Sequence, residues 1–259
     1  MRAEPDRPEE AEGSATERRP GSLLASVRDG ASDYFYNSWR IVPLNIAWGI
    51  GLVAAAGAWI SLGVLPALVV GVALTIPLAG MFRVATRIAR GERVAISDAI
   101  DPVRDWGGLG RVLVVGLLFT AAAGILVTNL ALGLGLGGVL GIAFATVATW
   151  GLAMVFAFGF AFWPLAVDPW RDGISWRRRA RLAGYLVLAH PVRMLVLVVA
   201  LGAFLAVSTV VIIALVTLSV GFVVLVDTRF VLPVADQLEE RLVARAVIEP
   251  TITRPLDVP

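Results

Sequence analysis

Two residue types with distinctive chemistry are missing from this chain. Among its 259 residues there is no cysteine and no lysine, and there is a single histidine. Without cysteine, a disulfide framework, a thiolate metal site and a cysteine nucleophile are all excluded. A single histidine excludes a metal site built from several imidazoles. We therefore expect no metal and no other cofactor.

Charge is also scarce, and it is unevenly distributed. Charged residues make up 16% of the chain and hydrophobic residues 58%, whereas about a quarter of a typical soluble domain is charged. Three runs, 41–82, 112–167 and 194–226, contain no Asp, Glu or Arg. A helix that crosses the hydrocarbon core needs about 20 apolar residues, so each run exceeds one span. The sequence predicts an all-α fold, a polytopic transmembrane helical bundle.

The number of spans depends on how these runs divide. The first two runs divide into helices at about 44–60, 64–82, 109–132 and 139–167, and the glycine-rich segment 133–138 supplies one of the turns. The third run, extended to 192–235, is long enough for two helices. It has no Gly or Pro between Gly202 and Gly221, so a single helix here is the alternative. We predict six spans arranged as three hairpins, with five spans as the alternative.

The arginines predict the orientation. They all lie in the terminal segments or in 83–111 and 171–193, and the proposed turns contain none. Short Arg-rich loops stay in the cytoplasm, so a plasma-membrane protein with both termini cytoplasmic is expected. Five spans would place Arg229 and Arg241 outside, against this rule. The polar ends predict a disordered cytoplasmic tail at 1–32, a transmembrane domain at 33–242 and a polar tail at 243–259.

One charged segment has the pattern of a membrane-surface helix. Within 175–189, a tryptophan and four arginines precede several apolar residues, and a basic helix with an apolar face lies well on anionic lipid. A cytoplasmic partner protein is the other candidate occupant. The residues proposed for lipid or partner contact are Trp176, Arg177, Arg178, Arg179 and Arg181.

A five-residue pattern occurs twice in the charged segments. Residues 101–105 read Asp-Pro-Val-Arg-Asp and residues 168–172 read Asp-Pro-Trp-Arg-Asp. An Asp followed by Pro is a common way to begin a helix, with the Asp as N-cap and the Pro at the first position. We interpret both copies as helix starts at the membrane surface.

Few side chains suited to chemistry lie in the apolar runs. Asn45, Asn129, Asp227 and Arg229 are expected to make polar contacts within the membrane, and the last two lie near the inner end of the last span. His190 has no accompanying nucleophile and carboxylate pattern that would indicate a triad. The sequence therefore predicts a protein that is not an enzyme. A net charge of +2 gives no indication of a nucleic-acid surface.

The order of these features resembles the YesL-type family of bacterial membrane proteins, a family of unknown function. The resemblance covers about 34–242. Its motifs are Trp39-Arg40, Asn45-Ile46-Ala47-Trp48, the second-span residues Pro66, Thr75 and Pro77, the stretch 81–92, and a return to the membrane at Arg111. The resemblance implies a link to carbohydrate uptake and names no catalytic residues. It implies an accessory component, with an ABC-transporter permease or another membrane protein as partner besides the lipid bilayer. The alternative function is a small transporter or channel acting on its own.

Overall fold

A computed structural model describes residues 22–211 and 214–252; for Val64, Leu215 and 245–252 it describes the backbone alone. The α-helices in this part of the chain are α1 (Leu23–Leu62), α2 (Val64–Ala73), α3 (Thr75–Ala89), α4 (Trp106–Leu136), α5 (Gly138–Ala166), α6 (Trp176–Ala189), α7 (Pro191–Val210) and α8 (Val220–Ile252). Two 3-10 helices, Ile96–Val103 and Pro169–Arg171, and a π-helix, Leu215–Ser219, complete the described elements.

The prediction of six spans is confirmed. Six helical stretches are long and apolar enough to cross a membrane, and the last two, Pro191–Val210 and Val216–Ala244, divide the third charge-free run. The protein is therefore an integral membrane protein in contact with the lipid bilayer. The turn between these last two spans forms without glycine, and the N–H of Ala214 donates to Val211 O at 2.8 Å.

Glycines close the first two hairpins. Gly63, between α1 and α2, has φ +89°, and Gly137, between α4 and α5, has φ +62°. A side chain makes this backbone region costly, so glycine is the residue that fits both turns. The second span also contains a break between α2 and α3. Pro77 has no N–H to donate to the carbonyl of Ala73, so regular helical bonding is interrupted there.

The last span lies at the centre of the bundle. In its most apolar stretch 78% of the residues are buried, against 11% in each of α4 and α5. Val224, Leu225, Val226 and Val231 on α8 are each at most 2% exposed. The second hairpin instead presents large apolar side chains such as Val139 and Leu140 outward, which suits a surface that faces lipid.

Helices extend into both predicted tails. Helix α1 begins at Leu23, inside the predicted disordered tail 1–32, and α8 continues to Ile252, inside the predicted tail 243–259. The rest of both predicted tails, 1–21 and 253–259, lies outside the described residues. Contacts hold the start of α1: a Cβ at Gly30 would lie 2.9 Å from Val226 Cγ2, and Arg229 Nε donates to Asp33 Oδ2 at 2.6 Å. Close packing against α8 thus orders a segment whose composition is polar.

Candidate functional site

A layer of paired arginines and carboxylates closes one end of the bundle. Its first element is α3, where Arg83, Arg87 and Arg90 follow one another at intervals of four and three residues. This spacing places the three side chains on one face of the helix. Their partners come from the two segments that contain the Asp-Pro patterns and from α8. We call this set of ion pairs the charged layer.

Asp168 is the most buried acid of the charged layer. Its side chain is fully buried, accepts from Arg90 Nη2 at 2.6 Å, and also pairs with Arg171. Arg90 and Arg171 each donate in addition to Asp236 on α8, both at 2.6 Å, and Arg171 donates to Glu239 at 2.7 Å. Two arginines thus share three carboxylates, and each buried charge has opposite charges beside it.

Electrostatics in this cluster favour the charged forms of both arginines. Burial lowers the pKa of Arg90, but hydrogen bonds to Asp236 and Asp168 outweigh it and hold the pKa above its ordinary value. The pKa of Arg171 is raised in the same way, since bonds to Glu239 and Asp236 exceed the effect of burial. Both side chains are therefore permanent cations that fix α3 and the segment after α5 to α8.

Arg83 connects the two copies of the repeated pattern. Its guanidinium makes a bidentate pair with Asp172 at 2.8 and 3.1 Å, lies 3.7 Å from Asp101, and donates to Val167 O at 2.9 Å. The prediction that these patterns begin helices holds for Asp168, whose carboxylate accepts from Trp170 N at 3.3 Å. In the first copy the cap is its last residue, Asp105, which accepts from Gly108 N at 3.1 Å. Asp101 lies within a 3-10 helix.

The arginines of α6 divide into two groups. Arg177, Arg178 and Arg181 are exposed, and among the described residues none of them forms an ion pair. Arg179 is 4% exposed, and its guanidinium donates to the carbonyls of Ile174, Ala166 and Arg171. It therefore binds the end of α5 rather than presenting its charge outward. Burial lowers the pKa of Arg179, and Asp172 opposes this only in part.

Trp176, the remaining residue proposed for lipid or partner contact, is partly buried. Its ring packs edge-on against Phe162 with the centroids 5.8 Å apart, and the guanidinium of Arg111 lies 5.6 Å from its centroid. Trp176 thus anchors α6 to α5. The outward surface of α6 then consists of the three free arginines followed by Tyr185 and Leu188. We call these five residues the basic face.

Asn45 lies at a break in the last span. It is fully buried, its Nδ2 donates to Val216 O at 2.7 Å, and its Oδ1 accepts from Gly221 N at 2.7 Å. Val216 lies inside the π-helix and Gly221 lies just after it, where regular α-helical bonding is interrupted. The expected contact between helices is thus present for Asn45. Asn129 is half-buried on α4.

Asp227 and Arg229 have different surroundings although they are two residues apart. Arg229 donates to Asp33 Oδ2 at 2.6 Å and to Ala89 O at 3.3 Å, which joins α8 to α1 and α3. Asp227 is fully buried, and neither of its oxygens has a hydrogen-bond partner among the described residues. A buried carboxyl without a partner is rare in proteins.

The charged layer has the properties of a structural and electrostatic element. Within the described residues, no group of three His, Cys, Asp or Glu side chains could hold a metal ion. Arginines already pair with the three clustered carboxylates, Asp168, Asp236 and Glu239, so their negative charge is neutralised without a metal cation. The arrangement can bind helices together and can present positive charge outward on the basic face.

The charged layer was missed at the sequence level, although part of its signal was present. The spacing of Arg83, Arg87 and Arg90 on a helix indicates a shared face, and the second Asp-Pro pattern contains both Asp168 and Arg171. The partners Asp236 and Glu239 are 65 and 68 residues from Arg171 in the chain. No local spacing predicts a pairing over that distance.

Comparison with known proteins gave no match: no family model, no curated protein and no solved structure is similar to this chain. The resemblance to the YesL-type family therefore stays a prediction from the motifs quoted above.

Proposed function

We propose that this protein is a non-enzymatic membrane component that docks another membrane protein on its basic face, with the charged layer towards the cytoplasm. The main observation behind this proposal is that some arginines are paired with carboxylates and others are not. Those of the charged layer are paired with carboxylates, whereas Arg177, Arg178 and Arg181 are exposed and lie in no ion pair of the described structure. The fold thus leaves three positive charges side by side on one short helix.

The composition of the basic face supports a protein partner. Arginine and aromatic residues are enriched in protein interfaces, and Tyr185 is 56% exposed beside these arginines. The helix itself is held firmly, because Arg179 and Trp176 attach it to the end of α5. A rigid basic surface suits recognition of an acidic patch, where electrostatic complementarity supplies specificity and speeds association.

The cytoplasmic orientation rests on the distribution of arginine. The charged layer and the basic face lie at the same end of the helices, and the turns at Gly63 and Gly137 at the other end carry no charge. Short loops rich in arginine remain on the cytoplasmic side of the plasma membrane. The proposal that the partner is a permease for carbohydrates, such as that of an ABC transporter, rests on the YesL-type resemblance alone.

Co-purification from native membranes tests the proposal. We expect a membrane protein to be recovered with the unmodified chain and to be lost with the triple variant R177Q/R178Q/R181Q. The matched control R28Q/R93Q/R104Q removes the same charge from other exposed arginines and should retain the partner. If both triple variants retain it, or if the basic-face variant loses only anionic lipid, the docking proposal is wrong.

The alternative function is that of a small transporter or channel. The buried carboxyl of Asp227 favours it, because ionisable groups inside membrane proteins often mark transport pathways. Reconstitution distinguishes the two functions. The purified chain alone in liposomes should show no solute flux above that of empty vesicles. Flux without a partner would contradict the accessory role.

A further inference from the structure

Asp227 is a buried acid whose position no hydrogen bond or ion pair of the described residues explains. It is fully buried on α8, and both carboxylate oxygens are unpaired within the described part of the chain. Its neighbours one turn away on the same face are Val223, Val224, Phe230 and Val231, each at most 3% exposed. An ionised carboxylate in such surroundings is strongly unfavourable, so the arrangement suits the protonated acid.

Most charged groups on the elements packed against α8 are engaged elsewhere, and Arg28 on α1 is exposed. On α1, Asp33 pairs with Arg229, the Tyr34 hydroxyl donates to Thr217 O, and Arg40 lies over Trp39. On α3 the three arginines pair with acids of the charged layer, and on α6 the buried Arg179 binds carbonyls. On α7, Arg193 is exposed, and α5 contains no charged residue. Within the described part of the chain, no cation forms an ion pair or a hydrogen bond with Asp227.

The same span contains an irregular segment just before α8. The π-helix Leu215–Ser219 lies two turns before Asp227 and departs from regular α-helical bonding. Such segments recur at functional sites. Asn45 of α1 binds Val216 O inside this segment and Gly221 N just after it. A single side chain of α1 thus contacts the last span where its helix is irregular.

Contact between α1 and α8 is close beside the carboxyl. A Cβ at Gly30 would lie 2.9 Å from Val226 Cγ2, so the backbone of α1 lies directly against the residue that precedes Asp227. Arg229, two residues after it, bonds to Asp33 on α1 at 2.6 Å. Any displacement of α8 at Asp227 must therefore alter its contact with the first part of α1.

We propose that Asp227 is a proton-binding site that controls the packing of α8 against α1. With the proton bound, the neutral acid fits the apolar interior and the two helices pack as described above. When the proton leaves to water at the charged end, the carboxylate must reach water or a cation, and α8 separates from the start of α1. The ligand is a proton and not a metal ion, because the described residues around Asp227 offer no further carboxylate to complete a cation site.

Thiol labelling of a chain without native cysteine measures this separation directly. Ser26 is 4% exposed and lies one turn before Gly30, so S26C places a buried thiol in this part of α1. Leu24 is 80% exposed on the same helix, and L24C corrects for the chemistry of the thiol at each pH. The labelling rate of S26C is divided by that of L24C. This labelling ratio is measured in the purified full-length protein, in the parent and in the variants D227N and T228V.

In the parent and in T228V the labelling ratio should rise about tenfold from about pH 5 to about pH 9. A carboxyl in water is already ionised at about pH 5, so a rise above that pH indicates ionisation of a buried carboxyl. D227N should keep the low ratio throughout, since its neutral amide mimics the protonated acid. Thr228 is the matched control: it is also fully buried but does not titrate. A flat ratio in the parent, or an equal rise in D227N, would overturn the proposal.

Infrared difference spectra provide a readout that does not depend on labelling. The parent should show a protonated-carboxyl band that disappears between the same pH limits and with the same midpoint as the labelling ratio. The band should be absent from D227N. A parent without this band, or a D227N variant that does not fold, would contradict a site whose resting form is the neutral acid.

Discussion

The side chain of Asn45 on α1 accepts a hydrogen bond at 2.7 Å from the backbone N–H of Gly221 on α8. Its amide nitrogen donates to Val216 O, also at 2.7 Å, so one buried side chain binds both the π-helix and the first turn of α8. The two groups are 176 and 171 residues from Asn45 along the chain. The first and last spans are thus joined at the point where the last span is irregular.

Replacing Asn45 by alanine should destabilise the protein markedly. Each buried backbone group left without a partner costs about 1–3 kcal/mol, and N45A leaves two. The midpoint of thermal unfolding in a mild detergent, followed by circular dichroism, measures the loss. N129A is the matched control, because Asn129 is only half-buried and should tolerate the change. Equal midpoints for the two variants would show that Asn45 does not hold the π-helix.

Removing the charge of Asp168 should also destabilise the protein strongly. D168N leaves Arg90 and Arg171 buried with fewer carboxylates, and breaking a buried ion pair from one side costs about 3–5 kcal/mol. R177Q is the comparison, since Arg177 is exposed and in no ion pair of the described structure, and such surface changes stay within about 0.5 kcal/mol. The same unfolding assay ranks the two. A D168N variant as stable as R177Q would mean that the charged layer contributes little to the fold.

The spans were predictable from sequence because lipid imposes a simple rule. Long runs without charge, with arginine confined to the segments between them, were enough to predict six helices, including the pair Pro191–Val210 and Val216–Ala244. The turns at Gly63 and Gly137 fell where glycine was available. In these elements the local sequence and the membrane favour the same structure.

The charged layer was not predictable in the same way. Arg177 and Arg179 are similar as sequence, yet a step of two residues turns a helical side chain by about 200°, so one is exposed and the other buried. The order of α1 from Leu23 and the pairing of Arg171 with Asp236 depend on contacts with α8, which lies far away in the chain. Tertiary packing determines these features, and it cannot be predicted from the local composition.

The single histidine should give a measurable pH effect. Burial lowers the pKa of His190, and Arg193 and Arg241 lower it further. The unfolded chain therefore binds a proton at a higher pH than the folded chain. The contribution of neutral His190 to stability is fully present above about pH 6.5 and is lost as the pH falls through the folded pKa. Titration of the one imidazole by NMR gives that pKa directly.

The control for this effect is H190Q, which cannot titrate. Its stability between about pH 7 and about pH 5 should lack the histidine-dependent decrease seen in the parent. An NMR pKa at or above the ordinary histidine value would contradict the depressed pKa, and an identical decrease in H190Q would assign the pH effect to another group.

The central claim is that all charged segments lie on the cytoplasmic side of three hairpins, and cysteine mapping in intact cells tests it most directly. Single cysteines replace Ser61, Leu136 and Val211 at the three turns, or Ser97, Ser175 and Leu242 at the charged end; all six positions are exposed. A membrane-impermeant thiol reagent should label the first three in intact cells and the other three only after permeabilisation. Labelling of S175C or L242C in intact cells, or protection of the turns, would contradict the account.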